Sequence, residues 1–273
     1  MSRSPLLRPA ERLSANTEPL VRPLVDLHET NQRYSAAHVL LPAGTSIALR
    51  CDGHLGGYVA AGRVEIFARE EGPRRLGVAG FFQVCQAGSV EVRNTSDQLA
   101  TVVTFTSPAN QPLASDAGLR TVEPTAGDCV AVVGDVYRFL ATAETSAGAF
   151  AIWEARVFPG GGPPPHVHSR EEEGFFLLAG ELQFTFDGQP AVVTAGSFAN
   201  MPVGVEHAFR NNTDTTAMML IVVAPGGMEQ MFARTGTVLP AVREEPLPPS
   251  EEEKQRLVRI APEYGIEIRL PGH

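Results

Sequence analysis

No stretch of this chain is apolar enough to cross a membrane as a helix. The longest uninterrupted apolar run, Ala217–Ala224, falls far short of the roughly 20 residues a bilayer requires. Basic blocks are missing too. The 22 Lys and Arg are scattered and outnumbered by 31 Asp and Glu, for a net charge of −9, so the sequence offers no cationic footprint for nucleic acid or an anionic membrane surface. Cysteine is scarce: Cys51, Cys85 and Cys129 form no CxxC pair, and an odd, widely spaced set does not describe a disulfide framework. Residues 1–20 scatter Arg3, Arg8, Glu11 and Arg12 among their apolar residues, leaving no continuous core for a secretory signal. A reducing cytoplasm is the expected location. The formal sequons Asn94-Thr95-Ser96 and Asn211-Asn212-Thr213 then carry no glycan.

What the sequence does hold is concentrated between Gly160 and Asn211. The segment reads Gly160-Gly161-Gly162-Pro163-Pro164-Pro165-His166-Val167-His168, then Ser169-Arg170-Glu171-Glu172-Glu173. In an extended strand alternate side chains share a face, so His166 and His168 point the same way and can chelate one ion. A polar turn follows, and a second strand carrying Phe175, Phe176, Leu177 and Leu178 begins at Glu173, which sets a carboxylate beside the histidine pair. Further on, Gly196, Pro202 and Gly204 make turns, and His207 opens another strand. Three imidazoles and one carboxylate are a mixed N/O donor set for a divalent transition metal, with positions left for water or substrate.

These residues resemble a known pattern. Gly160, His166, His168, Glu173 and Gly180 match the first motif of the cupin superfamily, and Gly196, Pro202, Gly204, His207 and Asn211 match its second. The family tolerates two positions for the glutamate. Only Glu173 leaves six residues before Gly180, which assigns Glu173 as the ligand and Glu171 and Glu172 as solvated turn residues. The run from Pro163 to Glu171 and the tail helices make the chain from about Val132 onward resemble the cupins related to quercetin 2,3-dioxygenase.

Length and strand spacing organise the rest. A chain of 273 residues suits two modest domains. Residues 1–24 read as an extended arm. Short β-prone runs follow from Leu24 to about Ser107, of the length and spacing of an all-β sandwich or barrel. Residues 108–128, with Pro108, Pro112 and Pro124, lack apolar periodicity and read as a linker. A second set of strands runs over residues 129–225, the first spanning Val132 to Leu140. A tail over 226–273 carries a short helix from Gly227 to Arg234 and, after Pro246, Pro248 and Pro249, a helix opened by a capping box at Ser250-Glu251-Glu252-Glu253. Leu257, Val258 and Ala261 are that helix's packing face.

The two halves repeat one another. Gly62-Arg63-Val64-Glu65 lies over Gly180-Glu181-Leu182-Gln183, Gly44 over Gly162, and Arg93-Asn94 over Arg210-Asn211. Residues 25–107 are thus a degenerate barrel, with Ala48, Arg50, Leu55 and Glu91 where the other half has His166, His168, Glu173 and His207. His54, next to the Glu slot, reads as a solvated loop residue.

The resemblance implies an all-β fold of two tandem cupin barrels, of the double-stranded β-helix or jelly-roll type, with short C-terminal helices. It also implies one divalent transition metal per chain (Fe, Mn, Ni or Co) held by His166, His168, Glu173 and His207 in the C-terminal barrel. Its activity would be that of a dioxygenase on a flavonol-like, enolic or polyphenolic small molecule, with O2 as co-substrate and Glu173 also as base. Trp153, Phe175, Leu177, Phe184, Met201 and Phe209 would wall the substrate pocket. The same ligands would equally serve an O2-independent isomerase, lyase or hydrolase, and a non-catalytic small-molecule-binding cupin is a third reading. Monomer and homodimer are both open.

Overall fold

The computed structural model describes residues 4–11, 17–68, 72–85, 88–108, 118–240 and 248–269. Residues 109–117 of the expected linker and Pro246 of the expected chain break lie outside the described residues. Two compact units emerge, one from Met1–Glu11, Asp128–Ala143 and Phe150–His273, the other from Arg12–Gly127 and Glu144–Ala149. Both are antiparallel β-sandwiches, the jelly-roll barrels expected of this chain.

In the C-terminal unit an eight-stranded sheet runs in the order Leu6–Arg8, Phe198–Met201, Glu172–Ala179, Ala217–Ala224, Ala151–Val157, Asp135–Ala141, Cys129–Val132 and Thr237–Leu239. Facing it is a five-stranded sheet of Gln189–Thr194, Glu181–Phe186, His207–Arg210, His166–His168 and Ile266–Ile268. The core forms where alternate side chains of the two meet: Trp153, Phe175, Leu177 and Met219 from the larger sheet pack with Leu182, Phe184, Val193 and Phe209 from the smaller.

The N-terminal unit repeats the plan. A six-stranded sheet and a four-stranded sheet enclose Val39, Leu55, Val59, Phe82 and Val102 from one side and Val64, Ile66, Val90 and Val92 from the other.

The duplication is visible at the level of single bonds. Asn211 Nδ2 donates to the carbonyls of Val157 and Thr215, both at 2.8 Å, while its Oδ1 accepts from the backbone N–H and the hydroxyl of Thr213. Asn94 repeats this cage, donating to Leu41 and Gln98 and accepting twice from Ser96. Both asparagines are buried, Asn211 0% and Asn94 1% exposed, so the Asn-x-Ser/Thr pattern is here a turn-closing device that leaves the amide inaccessible to a glycan.

Several expectations are corrected. The run Val132 to Leu140 is two strands, because Val133 and Gly134 both take positive φ (48° and 95°), the backbone of a tight hairpin turn. Part of the expected arm is strand: Leu6–Arg8 pairs with Phe198–Met201, and Leu20–Val25 pairs with Ser35–Leu41. Within the expected linker, Leu119–Val122 pairs with Phe81–Cys85. The tail holds helices α1 (Glu229–Thr235) and α2 (Glu251–Ile260), but it also returns to the barrel as two unexpected strands, Thr237–Leu239 and Ile266–Ile268. The capping box at α2 is half made. Ser250 Oγ accepts from Glu253 N at 3.1 Å, whereas the Glu253 carboxylate takes the N–H of Val133 at 2.8 Å and so ties the helix to the hairpin turn.

The Gly-rich loop before His166 is squeezed from two sides. Gly162 has φ +115°, and a Cβ there would sit 2.0 Å from the carbonyl oxygen of Phe209. Gly188 shares the left-handed region (φ +77°) but faces open space. Gly188→Ala should therefore cost about 1–2 kcal/mol of backbone strain, and Gly162→Ala at least about 3 kcal/mol, because the main chain must also move. Equal denaturation midpoints for the two variants would contradict this packing.

Candidate metal centre

The strand pairings deliver four donors to one point. His166 lies directly opposite His207 in the antiparallel register, and His168 follows two residues on, on the same face. Glu173 stands in the facing sheet, between Met201 and Val223. One ligand atom from each of the four residues lies within 4.8 Å of the others. An ion with bonds of about 2.1 Å spans opposite ligands by about twice that length, so sub-ångström side-chain shifts close the set on a single ion.

The hydrogen bonds behind the imidazoles decide what they offer. His166 Nδ1 lies 2.9 Å from the Pro164 carbonyl and His207 Nδ1 lies 3.1 Å from that of Val205. A carbonyl can only accept, so both Nδ1 atoms carry the proton. His168 Nδ1 has the Glu171 carboxylate at 3.4 Å. In its neutral form each ring therefore turns an Nε2 lone pair inward, the arrangement that orients metal-binding histidines. His207 Nε2 stands 2.9 Å and His168 Nε2 3.3 Å from the same oxygen, Glu173 Oε2. Lone pairs at that separation need a proton or a cation between them. The donor set fits a divalent metal ion.

The electrostatics set His166 apart from His168. Burial first, and then the neighbouring rings of His207 and His168, push His166 down to about 3, so it is a neutral ligand. Burial alone would raise Glu173, but His168, His207 and His166 outweigh it and hold the carboxyl at about 2, ionised. Burial also opposes charge on His168, yet Glu173 and Glu171 raise its pKa.

Above the donors lies a cavity of about 80 Å³. Its walls include Tyr137, Trp153, Phe209 and Ile221 from the barrel, with Met228, Met231, Phe232, Leu257 and Ala261 from α1, α2 and their flanks. Phe232 is fixed there by stacking on Tyr137 (4.7 Å between centroids) and by an edge contact with Trp153 (5.3 Å).

A family model for the cupin domain matches residues 153–223, the segment that contains all four donors. The C-terminal barrel is a cupin domain. Its curated relatives include quercetin 2,3-dioxygenase of Bacillus subtilis, 26% identical over 36% of this chain, and quercetin 2,3-dioxygenase of Aspergillus japonicus, 30% identical over 40%. These matches span 29% and 33% of the relatives' own lengths. The oxalate decarboxylase of Lactobacillus farciminis, solved as its formate complex, superposes with a TM-score of 0.62 over 83% of this chain and 87% of that one, at 11% identity. At that identity the likeness is one of fold, and the chain has the bicupin fold.

Within the cupin domain the expected pocket wall divides. Trp153 and Phe209 line the cavity, whereas Phe175, Leu177, Phe184 and Met201 do not and instead pack in the core. Phe175 stacks edge-on with Phe184 and lies 6.0 Å from the His207 ring, so it backs the donors without facing the cavity. Glu171 and Glu172 are not solvated: they are 5% and 0% exposed, Glu171 because it supports His168, Glu172 because its strand starts there and Asn200 Nδ2 donates to it at 3.2 Å. Val258 is 40% exposed and not a packing residue of α2. In the N-terminal barrel Ala48 pairs with Glu91 as His166 pairs with His207, so the slots align and their chemistry differs. His54 there is buried in strand Gly53–Ala61, 2% exposed, not in a solvated loop.

Sequence reasoning missed Asp135. Its carboxylate, 2% exposed, lines the cavity and accepts from Phe158 N at 3.2 Å and Gly162 N at 2.8 Å, which pins the loop that leads to His166. A Cβ on Gly161 would collide with it at 2.2 Å. No sequence signal marked it, because an Asp just after a hairpin turn reads as solvated.

Burial raises Asp135 from 3.8 to about 7, against the two backbone hydrogen bonds. For an acid whose folded pKa is raised, stability is fully present below the unfolded value and is lost as pH climbs toward the folded one. Wild-type stability should carry a component from Asp135 that declines between about pH 4 and 7, by up to about 4 kcal/mol. Asp135→Asn should lack it. Parallel stability-versus-pH curves for the two proteins would refute the assignment.

Proposed function

We propose that the protein is a metal-dependent dioxygenase of the cupin type, acting on an enolic or polyphenolic small molecule, flavonol-like in its reacting part. The observation that carries this reading is the convergence of three Nε2 lone pairs on one ionised, buried carboxylate at the floor of an apolar cavity. A single divalent transition ion (Fe, Mn, Ni or Co) held by His166, His168, Glu173 and His207 would lower the pKa of a substrate hydroxyl and keep O2 beside it.

The chain's own groups account for the remaining tasks. Both imidazole contacts to Glu173 fall on Oε2, which leaves the other oxygen of this cavity-lining carboxylate to accept the substrate's hydroxyl proton. Tyr137 is held far above the ordinary phenol pKa, chiefly by burial and also by the charges of Asp135 and Glu173, so its hydroxyl stays protonated beside the reacting molecule. The methionines and Phe232 of the helical cover keep water from the donors.

The small size of the cavity favours a second reading: an O2-independent isomerase or lyase acting on a compact enolisable acid. Oxygen separates the two. With a flavonol or small enolic substrate, the dioxygenase reading requires stoichiometric O2 uptake and no conversion under anaerobic conditions. Equal conversion without O2 would replace it with the second.

Metal analysis should give one ion per chain, lost in the His166→Ala, His207→Ala double variant. Two ions, or one retained in that variant, would sink the assignment. Glu173→Gln keeps the size and a carbonyl donor, so metal should bind more weakly but remain, while turnover falls by about 10^2 or more, the usual share of a positioned base. Normal turnover in Glu173→Gln would remove the base role.

A further inference from the structure

Most of the cavity wall is sealed. Of the residues that line it, those that are partly exposed are Val133, Gly162, Pro163, Pro164, Leu257 and Ile268. All six also line a second, larger depression of about 530 Å³. The cavity therefore meets solvent through that groove, whose far side is built by α2 and by the outer face of strands Glu181–Phe186 and His207–Arg210.

The groove's ionisable lining runs against the rest of the chain. Asp and Glu outnumber Lys and Arg, 31 to 22, yet among the described residues the charged groups lining the groove are Arg210 and Lys254, with no carboxylate. Lys254 has an exposed partner in Glu251 at 2.7 Å, the kind of surface pair that an incoming anion exchanges at little cost. Arg210 follows Phe209, which lines both spaces, and lies three residues beyond the donor His207. Because side chains alternate along a strand, His207 and Phe209 point into the barrel while Ala208 and Arg210 face the groove.

The inner cavity is also too small for more than part of a ring-bearing substrate, since drug-sized sites run to about 300–1,000 Å³. The groove supplies the missing room.

We propose that the ligand is an amphipathic organic anion, with an apolar, enolic head in the cavity at the donor cluster and an acidic group in the groove, held by Arg210 and Lys254. This rests on reading the His3Glu cavity as the substrate site, but not on the reaction performed there.

The test is a binding measurement on the full-length protein with two fluorescent probes of one shape, the anionic 8-anilinonaphthalene-1-sulfonate and the uncharged N-phenyl-1-naphthylamine. The anion should bind at one site, about tenfold more tightly than the neutral probe, and weaken as salt is raised. Arg210→Gln with Lys254→Gln should weaken the anion by about tenfold and shift the neutral probe less than twofold. Leu257→Trp, which fills the mouth, should abolish both. The same exchange at Arg74 and Arg75, on a strand of the other unit, should change neither.

No binding of the anion, equal affinity for the two probes, an unaltered anion affinity in the Arg210/Lys254 variant, or anion binding that survives Leu257→Trp would each overturn the proposal. A protein that passes this test but consumes no O2 would lose the dioxygenase reading and keep this one.

Discussion

Three imidazole lone pairs aimed at one buried carboxylate repel unless a cation stands among them. The protein commits to that arrangement with its backbone. The Nδ1 protons of His166 and His207 are taken by the carbonyls of Pro164 and Val205, each two residues from its histidine, so the inward tautomer is fixed by the local chain path. His168 depends instead on the side chain of Glu171. Removing water from such a cluster is costly, and the surrounding sheets and helices must supply the burial that offsets it. Much of the barrel's architecture follows: a large apolar core beneath the donors, a glycine-rich loop threaded between Asp135 and Phe209, and a helical cover above.

The N-terminal barrel shows what the scaffold looks like without that demand. Its register is retained, with Ala48 opposite Glu91, and so is the asparagine cage. Where the second barrel gathers histidines, the first has Ala48, Arg50 and Leu55, residues that need no inward tautomer and no sealed cover. The parts that survive in both halves are those that close turns and hold strands. The parts that differ are those that hold lone pairs together.

This separates what was legible in the sequence from what was not. Side-chain alternation placed His166 and His168 on one face, and the turn residues Gly180, Gly196 and Gly204 framed the strands, because these are local properties of φ and of period two. Glu171 and Glu172 were misread since an acidic triplet after a turn looks solvated; their burial depends on His168 and Asn200, which are set by tertiary contacts. Asp135 was silent for the same reason. The hairpin inside Val132 to Leu140 was hidden because Val133 adopts positive φ without being glycine or asparagine, a position where propensity points the other way. The strands Thr237–Leu239 and Ile266–Ile268 are three residues each, too short for any periodicity to register.

The tail does more than cap the fold. Ile266–Ile268 pairs with the histidine strand itself, and Ser169 is bonded to Gly265 through both its backbone N–H and its hydroxyl. On the other side, Glu253 holds α2 to the Val133 turn. The cover is therefore anchored at both ends to elements that border the donors, while its middle, around Leu257, borders the mouth. Leu257 itself is half-buried, packs against the core and lines both the cavity and the groove, while Val258 beside it is exposed. The mouth residue Ile268 thus sits on the strand paired with His166–His168, so the wall of the entrance and two of the donors belong to one sheet.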